Sequence, residues 1–215
     1  GKCGRWHAET ARDAYRQAGY EGYVIALAWD SAYGWGDAKE IAARNGPKLA
    51  NFLTDFHADH PTTPIRLQAH SLGARVVAEA VKTLHEQGRT DVVTSVAFLG
   101  GAIPNESVAM DGRYGPAIEN ATHHTENFWM DSDLVLDTAF TIAEFTQAVG
   151  NDGCDGTEPS NYTDREVDID GHTDYYKPDV GVTDRVVDTF QDLPADLPPI
   201  VGQRTPNDPD GDGLY

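Results

Sequence analysis

The sequence is poor in positive charge and in cysteine: its 215 residues include only five lysines and two cysteines. Lys and Arg total 16 against 35 Asp and Glu, which gives a formal net charge of −19 at pH 7. Such an acidic excess repels phosphate backbones and anionic lipids, so it argues against nucleic acids and anionic membranes as partners. No apolar run approaches the roughly 20 residues of a membrane-spanning helix, and no transmembrane segment is predicted.

The negative charge is spread along the whole chain rather than gathered in one tail. At ordinary salt, a charge of this size destabilises the compact state through self-repulsion. Salt at about 1 M shortens the Debye length to about 3 Å and removes most of that repulsion. The composition therefore favours a halophilic source and a high-salt environment. An ordinary acidic secreted protein is the alternative.

Two kinds of residue suggest an extracellular or cell-surface location. Cys3 and Cys154 lie far apart in the sequence, and their pairing as a disulfide would join the two ends of a domain in an oxidising compartment. Two free thiols in a reducing compartment are the alternative. Asn105, Asn120 and Asn161 each begin an Asn-x-Ser/Thr sequon in a loop-like segment, as in an exported glycoprotein.

One short segment, Ile65–Arg75, carries the strongest chemical signal. It places Ser71 in the pattern Ala-x-Ser-x-Gly, one step from the Gly-x-Ser-x-Gly nucleophile elbow. That turn strains the backbone of its serine and needs small residues two positions before and after it, as Ala69 and Gly73 are. The segment before the serine favours a strand, and apolar residues at helical spacing follow it. This order of strand, serine turn and helix is the one the motif requires.

A nucleophilic serine needs a base and an acid. In proteins with this nucleophile elbow, the acid follows the serine in the sequence and the histidine follows the acid. The residues 127–130 are mostly apolar and predict a strand end, with Asp131 and Asp133 just beyond it. We favour Asp133 because it opens the next helix and keeps its carboxylate in the loop. Asp131 is the alternative, and Asp137 is expected on the helix surface. His172 is the only histidine after this acid.

These three residues have distinct expected roles in a catalytic triad. Ser71 would attack a carbonyl, His172 would transfer the proton, and Asp133 would hold the imidazole tautomer. The backbone N–H of Leu72 would stabilise the oxyanion. His70 is interpreted as a structural residue of the turn. This chemistry needs no metal or other cofactor.

The residues around Ser71 make the chain resemble the α/β-hydrolases, and among them the lipases and esterases. Pancreatic-lipase-like enzymes have, in this order, a strand ending in Trp as in 23–29, a helix bearing Asn as at Asn45, and a His-Ser-Leu-Gly-Ala turn as in 70–74. The resemblance implies an α/β fold, with a mostly parallel sheet flanked by helices. It also implies a secreted serine hydrolase that cleaves carboxylic esters of small molecules or lipids.

One feature of the resembling families has no counterpart here. They place a His-Gly loop after an earlier strand, where it supplies the second oxyanion N–H. This chain opens on Gly1–Trp6, and a predicted helix over 6–18 follows at once. We therefore expect the given chain to lack N-terminal strands of the sheet. This departure keeps a rival hypothesis open, a non-catalytic binding or extracellular assembly protein on the same scaffold.

The pattern predicts one domain over 1–192. After helix 6–18, the predicted strands are 23–29, 65–70, 92–99 and 127–130, and the predicted helices are 38–58, 74–86, 134–149 and 184–192. Residues 100–125 show no periodicity and follow a strand whose end faces the site, so they are a candidate substrate loop. Its candidate contact residues are Met110, Tyr114, Ile118, His123 and His124. A surface excursion is the alternative.

The sequence changes character over 193–215. A Pro-rich linker comes first, and then Asp208, Asp210 and Asp212 alternate with Pro and Gly. Asp at alternate positions followed by Gly opens a calcium loop, and the segment resembles the start of a dockerin-type repeat. These aspartates are therefore candidate calcium ligands, in a module through which a partner could bind. An acidic disordered tail is the alternative.

Overall fold

The structure, a computed structural model, describes residues 2–192 and has an α/β fold. Four parallel strands form one sheet: β1 (Arg66–His70), β2 (Val93–Leu99), β3 (Thr122–Trp129) and β4 (Tyr162–Glu166). The helices are α1 (Lys2–Gln17), α2 (Trp35–Asp59), α3 (Gly73–Glu86), α4 (Gly115–Ala121), α5 (Thr141–Glu144), α6 (Val149–Asp152) and α7 (Thr183–Asp192). A 3-10 turn spans Asn105–Val108, and a π-helix spans Leu136–Phe140.

The four strands lie side by side in chain order. Residue 70 of β1 is level with residue 99 of β2, which is level with residue 128 of β3. All four strands therefore end at the same edge of the sheet. The loops that follow them meet there, which is where open parallel sheets place their ligand sites.

Helices cover both faces of the sheet. On one face α2, α3 and α4 bury the larger core, in which the helices contribute mainly Ala, Val and Leu side chains. On the other face α7 and the segment before it bury a smaller core that includes Tyr175 and Tyr176. α1 packs against α7 on that side, where the rings of Tyr15 and Phe190 stack. The sheet is thus buried on both faces, as parallel sheets are.

The predicted helices 6–18, 38–58, 74–86 and 184–192 and the strands 65–70 and 92–99 are present with bounds shifted by a few residues. The strand predicted at 127–130 begins five residues earlier, at Thr122. β4 falls in a segment that was predicted as a loop, and its exposed carboxyl-terminal residues explain why its pattern was missed.

The strand predicted over 23–29 is wrong. None of these residues pairs with another strand among residues 2–192, and the side chains of Tyr23, Ile25 and Leu27 are exposed. The segment has the alternating apolar residues of a strand, but a strand forms only where a neighbour accepts its hydrogen bonds. Trp29 alone packs against the larger core.

The single helix predicted over 134–149 is also wrong. The π-helix and α5 are followed by Phe145, which adopts a left-handed backbone with φ of 59° and ends the helical turns. A new short helix, α6, begins at Val149. No Gly or Pro marks this break in the sequence.

Within the described part of the chain, no helix is both long and apolar enough to cross a membrane.

A close contact between α2 and α3 fixes how the helices sit on the sheet. At Gly46 the helices approach so nearly that a Cβ atom there would lie 2.3 Å from the Cβ of Glu79. The Glu79 carboxylate is in turn held by Arg113 and by the hydroxyl of Tyr114, at 2.9 and 2.8 Å. Gly46 therefore allows α2 and α3 to pack closely, while Glu79 of α3 binds the two residues that lead into α4.

We expect Gly46→Ala to destabilise the fold by about 1–3 kcal/mol, the usual penalty for overpacking a core. This penalty opposes the gain of about 1 kcal/mol that Ala normally brings to a helix interior. The free energy of unfolding from urea titration measures the change. Gly36→Ala is the control, because a Cβ there meets no atom within 4 Å. Equal stabilities for the two variants would contradict this packing.

Candidate active site

Ser71 stands directly after β1 in a strained backbone conformation. Its φ is 54°, in the left-handed region that residues other than glycine seldom adopt. Its N–H donates to the carbonyl of Leu99 at 3.0 Å, and its own carbonyl accepts from Ala102 at 3.0 Å. The end of β2 thus holds the turn in place, and α3 begins two residues later. This is the strand, strained serine and helix arrangement predicted from the sequence.

The two small residues beside the turn face each other. A Cβ added to Gly73 would lie 3.9 Å from the Cβ of Ala69, which is ordinary van der Waals contact. Alanine would therefore fit at position 73, whereas a larger side chain would meet Ala69. Position 73 therefore requires a small residue, but alanine is tolerated there as well as glycine.

Asp133 lies in the loop after β3 and is fully buried. Its Oδ1 accepts hydrogen bonds from the backbone N–H groups of Val135 and Leu136, at 3.1 and 3.2 Å. It therefore caps the helical turns that follow. Its Oδ2 lies 2.6 Å from the Nδ1 of His172. One oxygen is held by the backbone while the other faces the imidazole.

His172 lies in the loop after β4, and its side chain is almost entirely buried. The Asp133 carboxylate only accepts hydrogen bonds, so the proton between them resides on His172 Nδ1. The remaining nitrogen, Nε2, is buried and has no hydrogen-bond partner among the described residues. In this tautomer Nε2 carries a lone pair, which is what a general base requires.

The alternative acid does not take this place. Asp131 is exposed and lines a cleft with Ser132, Glu166 and Asp168. Asp137 is also exposed, as expected for the helix surface. Of the three aspartates, the structure brings only Asp133 into contact with His172.

Leu72 joins the turn to an apolar cluster. Within residues 2–192, no backbone hydrogen bond occupies the Leu72 N–H, so it is free to donate to an oxyanion. The Leu72 side chain packs beside Leu136 and Phe140, where Ala102 and Ala148 also lie. The serine turn is thus anchored in a buried apolar cluster.

The sequence pattern did not single out one residue of this region, Glu144. The Glu144 carboxylate accepts hydrogen bonds from Trp35 Nε1 and Lys39 Nζ, both at 2.6 Å, and lies 3.8 Å from Arg75. It ties the segment after Asp133 to α2. An isolated glutamate in a helical pattern carries no signal of such a role.

His70 was interpreted as a structural residue, and the structure gives it a specific contact. Its Nε2 lies 2.6 Å from the backbone carbonyl oxygen of His172. Burial lowers the pKa of His70 to about 4, and the nearby imidazoles of His172 and His7 lower it too. The bond to the His172 carbonyl and the charge of Asp133 oppose the decrease.

The proposed substrate contact of Tyr114 is wrong. Its ring is buried in the larger core beside Ile118, and its hydroxyl donates to Glu79. Burial raises the pKa of Tyr114 to about 12, and the Glu79 carboxylate raises it further. The bond between Tyr114 and Glu79 therefore supports the packing of α4 against α3.

The two histidines of the presumed substrate loop are also misplaced. His123 and His124 belong to the first residues of β3, and His124 is level with Ser95 near the start of β2. His124 and Phe128 are four positions apart in β3, which is a distance of about 13 Å along the strand. His123 and His124 therefore lie at the opposite edge of the sheet from Ser71. The Met110 N–H donates to the carbonyl of Thr157 at 2.8 Å, and no backbone hydrogen bond joins Met110 to the triad residues within 2–192.

Cys154 is a partly buried free thiol. Burial raises its pKa to about 12, and the carboxylates of Asp164 and Glu158 add to the effect. The Cys3 side chain lies outside the described residues, so its pairing with Cys154 stays a prediction.

Two of the three sequons do not fit glycosylation of the folded chain. Asn105 is buried. The Nδ2 of Asn161 donates to the carbonyls of Ile118 and Thr122, at 2.9 and 2.6 Å. An attached sugar would need Nδ2 to be free and exposed. Asn120 is partly exposed, and its Nδ2 donates to the carbonyl of Pro116 one turn earlier in α4, at 2.7 Å. Since this contact is partly open to solvent, glycosylation of Asn120 stays a prediction.

The predicted calcium ligands Asp208, Asp210 and Asp212 lie outside the described residues. Within 2–192, no three His, Cys, Asp or Glu side chains are grouped so that they could hold a metal ion.

Comparison with known families places the chain in one of them. The family described as "Protein of unknown function (DUF726)" matches residues 26–183, which is well over half of the sequence. The chain belongs to the DUF726 family. The match spans the four strands, Ser71, Asp133 and His172 of this DUF726 chain. No curated protein matches it.

The lowered pKa of His70 predicts a pH-dependent stability. Between the ordinary value of 6.5 and about 4, the unfolded chain binds a proton that the folded chain does not. Stability should therefore fall as the pH drops through this window, by at most about 3 kcal/mol from this group. We expect His70→Gln to reduce the slope of the unfolding free energy against pH in this window.

The control is His60→Gln, which removes an exposed imidazole. Urea titrations at several pH values, at constant high salt, measure the slopes. If His70→Gln kept the full wild-type slope, the neutral state of His70 would be contradicted.

Proposed function

We propose that this chain is a serine hydrolase that cleaves carboxylic esters through Ser71, His172 and Asp133. The observation that carries the proposal is the buried pair between His172 Nδ1 and Asp133 Oδ2, at 2.6 Å. It leaves His172 Nε2 unpaired, in the loop that contacts the residue preceding Ser71. A buried imidazole nitrogen without a partner is costly unless a substrate or nucleophile uses it.

The chemistry follows the usual steps of a serine triad. Ser71 Oγ would attack the ester carbonyl while His172 Nε2 takes the hydroxyl proton. The imidazolium that forms would be stabilised by Asp133. His172 would then pass the proton to the leaving alcohol, and water would hydrolyse the acyl-enzyme by the same route.

The developing oxyanion would be stabilised beside α3. The free N–H of Leu72 and the amino end of this helix both present partial positive charge next to Ser71. Neither group needs to move when the charge forms. The same place would disfavour a cationic transition state, which fits acyl transfer.

A buried apolar cluster packs beside the serine turn. Leu72 follows the nucleophile, and Leu136 and Phe140 pack against its side of the turn. Trp35 meets Phe140 edge to face at 5.6 Å between ring centroids. The side chains of Leu136 and Phe140 are buried, so they shape the serine turn; a lipid or small-molecule ester is proposed as substrate from the triad chemistry.

We also propose that the protein works outside the cell at high salt. The net charge of −19 is the support for high salt, and an ester substrate is compatible with an extracellular enzyme. A partner module at the C-terminus remains part of this proposal. The rival function, binding or surface assembly without catalysis, is distinguished by the first experiment below.

We expect the wild-type chain to react with a fluorophosphonate probe and to hydrolyse a p-nitrophenyl ester. Ser71→Ala should abolish labelling and lower kcat by about 10⁴-fold or more, because no nucleophile remains. Asp133→Asn should lower kcat by a similar order, because the amide would favour the wrong His172 tautomer. Probe labelling read by intact mass and steady-state kinetics measure both.

Ser132→Ala is the matched control, because this exposed serine precedes Asp133, and the hydrogen bond to His172 Nδ1 comes from Asp133. It should label like the wild type. A folded wild-type chain that neither labels nor hydrolyses esters would favour the non-catalytic rival.

Lowering the salt should unfold the protein. The Debye length increases from about 3 Å at 1 M to about 30 Å at 0.01 M, so the acidic surface repels itself more strongly in dilute buffer. We expect the Tm to fall markedly over this range. Sucrose, which favours burial without screening charge, should not replace the salt. An unchanged Tm in dilute buffer would contradict the halophilic proposal.

A further inference from the structure

The side chain of His70 connects the strand of the nucleophile with the loop of the base. His70 is the last residue of β1 and immediately precedes Ser71. Its Nε2 is 2.6 Å from the carbonyl oxygen of His172, and the two imidazole centroids are 4.6 Å apart. The residue before the nucleophile is therefore bonded to the backbone of the base.

The proton in this contact can be assigned. A carbonyl oxygen only accepts hydrogen bonds, so Nε2 of His70 must donate. The pKa of about 4 keeps His70 neutral above mildly acidic pH, and its Nδ1 then has no proton. His70 is thus held as the Nε2–H tautomer.

The loop of His172 has few other restraints close to this residue. Within the described residues, no backbone N–H donates to the His172 carbonyl. The nearest backbone bond closes a turn from Asp174 N–H to Gly171. The Asp133 contact holds the imidazole from one side, and His70 holds the peptide from the other.

We propose that His70 is a positioning residue for His172: its Nε2–H bond to the His172 carbonyl fixes the loop in which the imidazole bonds Asp133 and keeps its free Nε2 available to the Ser71 turn. This inference rests on the proposed function. It makes β1 the common support of the nucleophile and of the base.

The charge state of His70 serves the same purpose. His172 becomes an imidazolium during the reaction, and a second cation 4.6 Å away would oppose it. The groups around His70 are His172 and Asp133 on the loops, His7 on α1, and the rings of Tyr175 and Tyr176. Among them Asp133 alone carries negative charge, and it faces His172.

The test compares His70→Phe with His70→Gln in the full chain at high salt. Phe keeps a ring beside His172 but removes the donor, whereas the Gln amide can reach the same carbonyl. We expect Phe to lower kcat and the rate of fluorophosphonate labelling by about 10- to 100-fold, because a misplaced base slows proton transfer. KM should change less than about twofold. Gln should restore most of the loss.

Proton NMR supplies a readout that does not require turnover. The Nδ1–H of His172, which donates to Asp133, should give a low-field resonance in the wild type. We expect it to shift or broaden in His70→Phe and to be retained in His70→Gln. A role of His70 limited to core packing would not make this signal follow the donor.

His85→Phe is the matched control. It makes the same chemical change in the last turn of α3, about 18 Å along the helix from its start. It should leave kcat and the resonance unchanged. Should His70→Phe fail to fold, His70→Asn replaces it, because its amide is one methylene too short to reach the carbonyl.

Two results would overturn the positioning role. One is a donor-free variant with wild-type kcat and an unchanged His172 resonance. The other is a Gln variant that is as slow as Phe, because the loss would then come from packing alone. A wild type that is neither labelled nor active would instead contradict ester hydrolysis, and the resonance would still decide the role of His70.

Discussion

The backbone hydrogen bonds that join Ser71 to the end of β2 and to the loop after it are the constraint on which the site depends. They run from Ser71 N–H to Leu99 and from Ala102 N–H to Ser71, each at 3.0 Å. Together they hold a serine in a left-handed conformation that costs on the order of 1–3 kcal/mol. Because one bond comes from the last residue of β2 and the other from the loop that follows it, the pairing of β1 with β2 sets the position of the Ser71 backbone. Strain is thus maintained by the most buried part of the fold.

The remaining parts of the site follow from the parallel sheet. Each strand ends at the same edge, so the loop after β3 brings Asp133 and the loop after β4 brings His172 to the side where Ser71 stands. Asp133 is fixed by two backbone N–H groups, and His172 is fixed by Asp133 and His70. The hydrogen bonds among Asp133, His172 and His70 are buried or nearly so, and burial strengthens each of them.

The sequence allowed the local elements to be predicted, but not the long-range ones. Helical spacing after Ser71 identified α3, and the order of acid and histidine expected for an α/β-hydrolase pointed to Asp133 and His172. The segment 23–29 looked like a strand, yet pairing depends on neighbours that local pattern does not reveal. β4 was missed because only its first residue is apolar, so it lacks the alternation of apolar and polar residues that marks a strand.

The substrate contacts failed for a related reason. Tyr114 and His124 were placed by assuming that residues 100–125 form one loop at the active edge. The chain instead returns through α4 and enters β3 at the opposite edge. The contact of His70 was not foreseen because its partner is a backbone carbonyl, 102 residues away, which no side-chain pattern marks.

The most direct measurement is a crystal structure of the protein after reaction with the fluorophosphonate probe. We predict phosphorus bonded to Ser71 Oγ, with a phosphoryl oxygen about 2.7–3.1 Å from the Leu72 N–H and with His172 Nε2 within hydrogen-bond reach of the adduct. The Asp133 and His70 contacts to His172 should both persist. An adduct on another residue, or a Ser71 adduct with His172 turned away from it, would contradict the proposed active site.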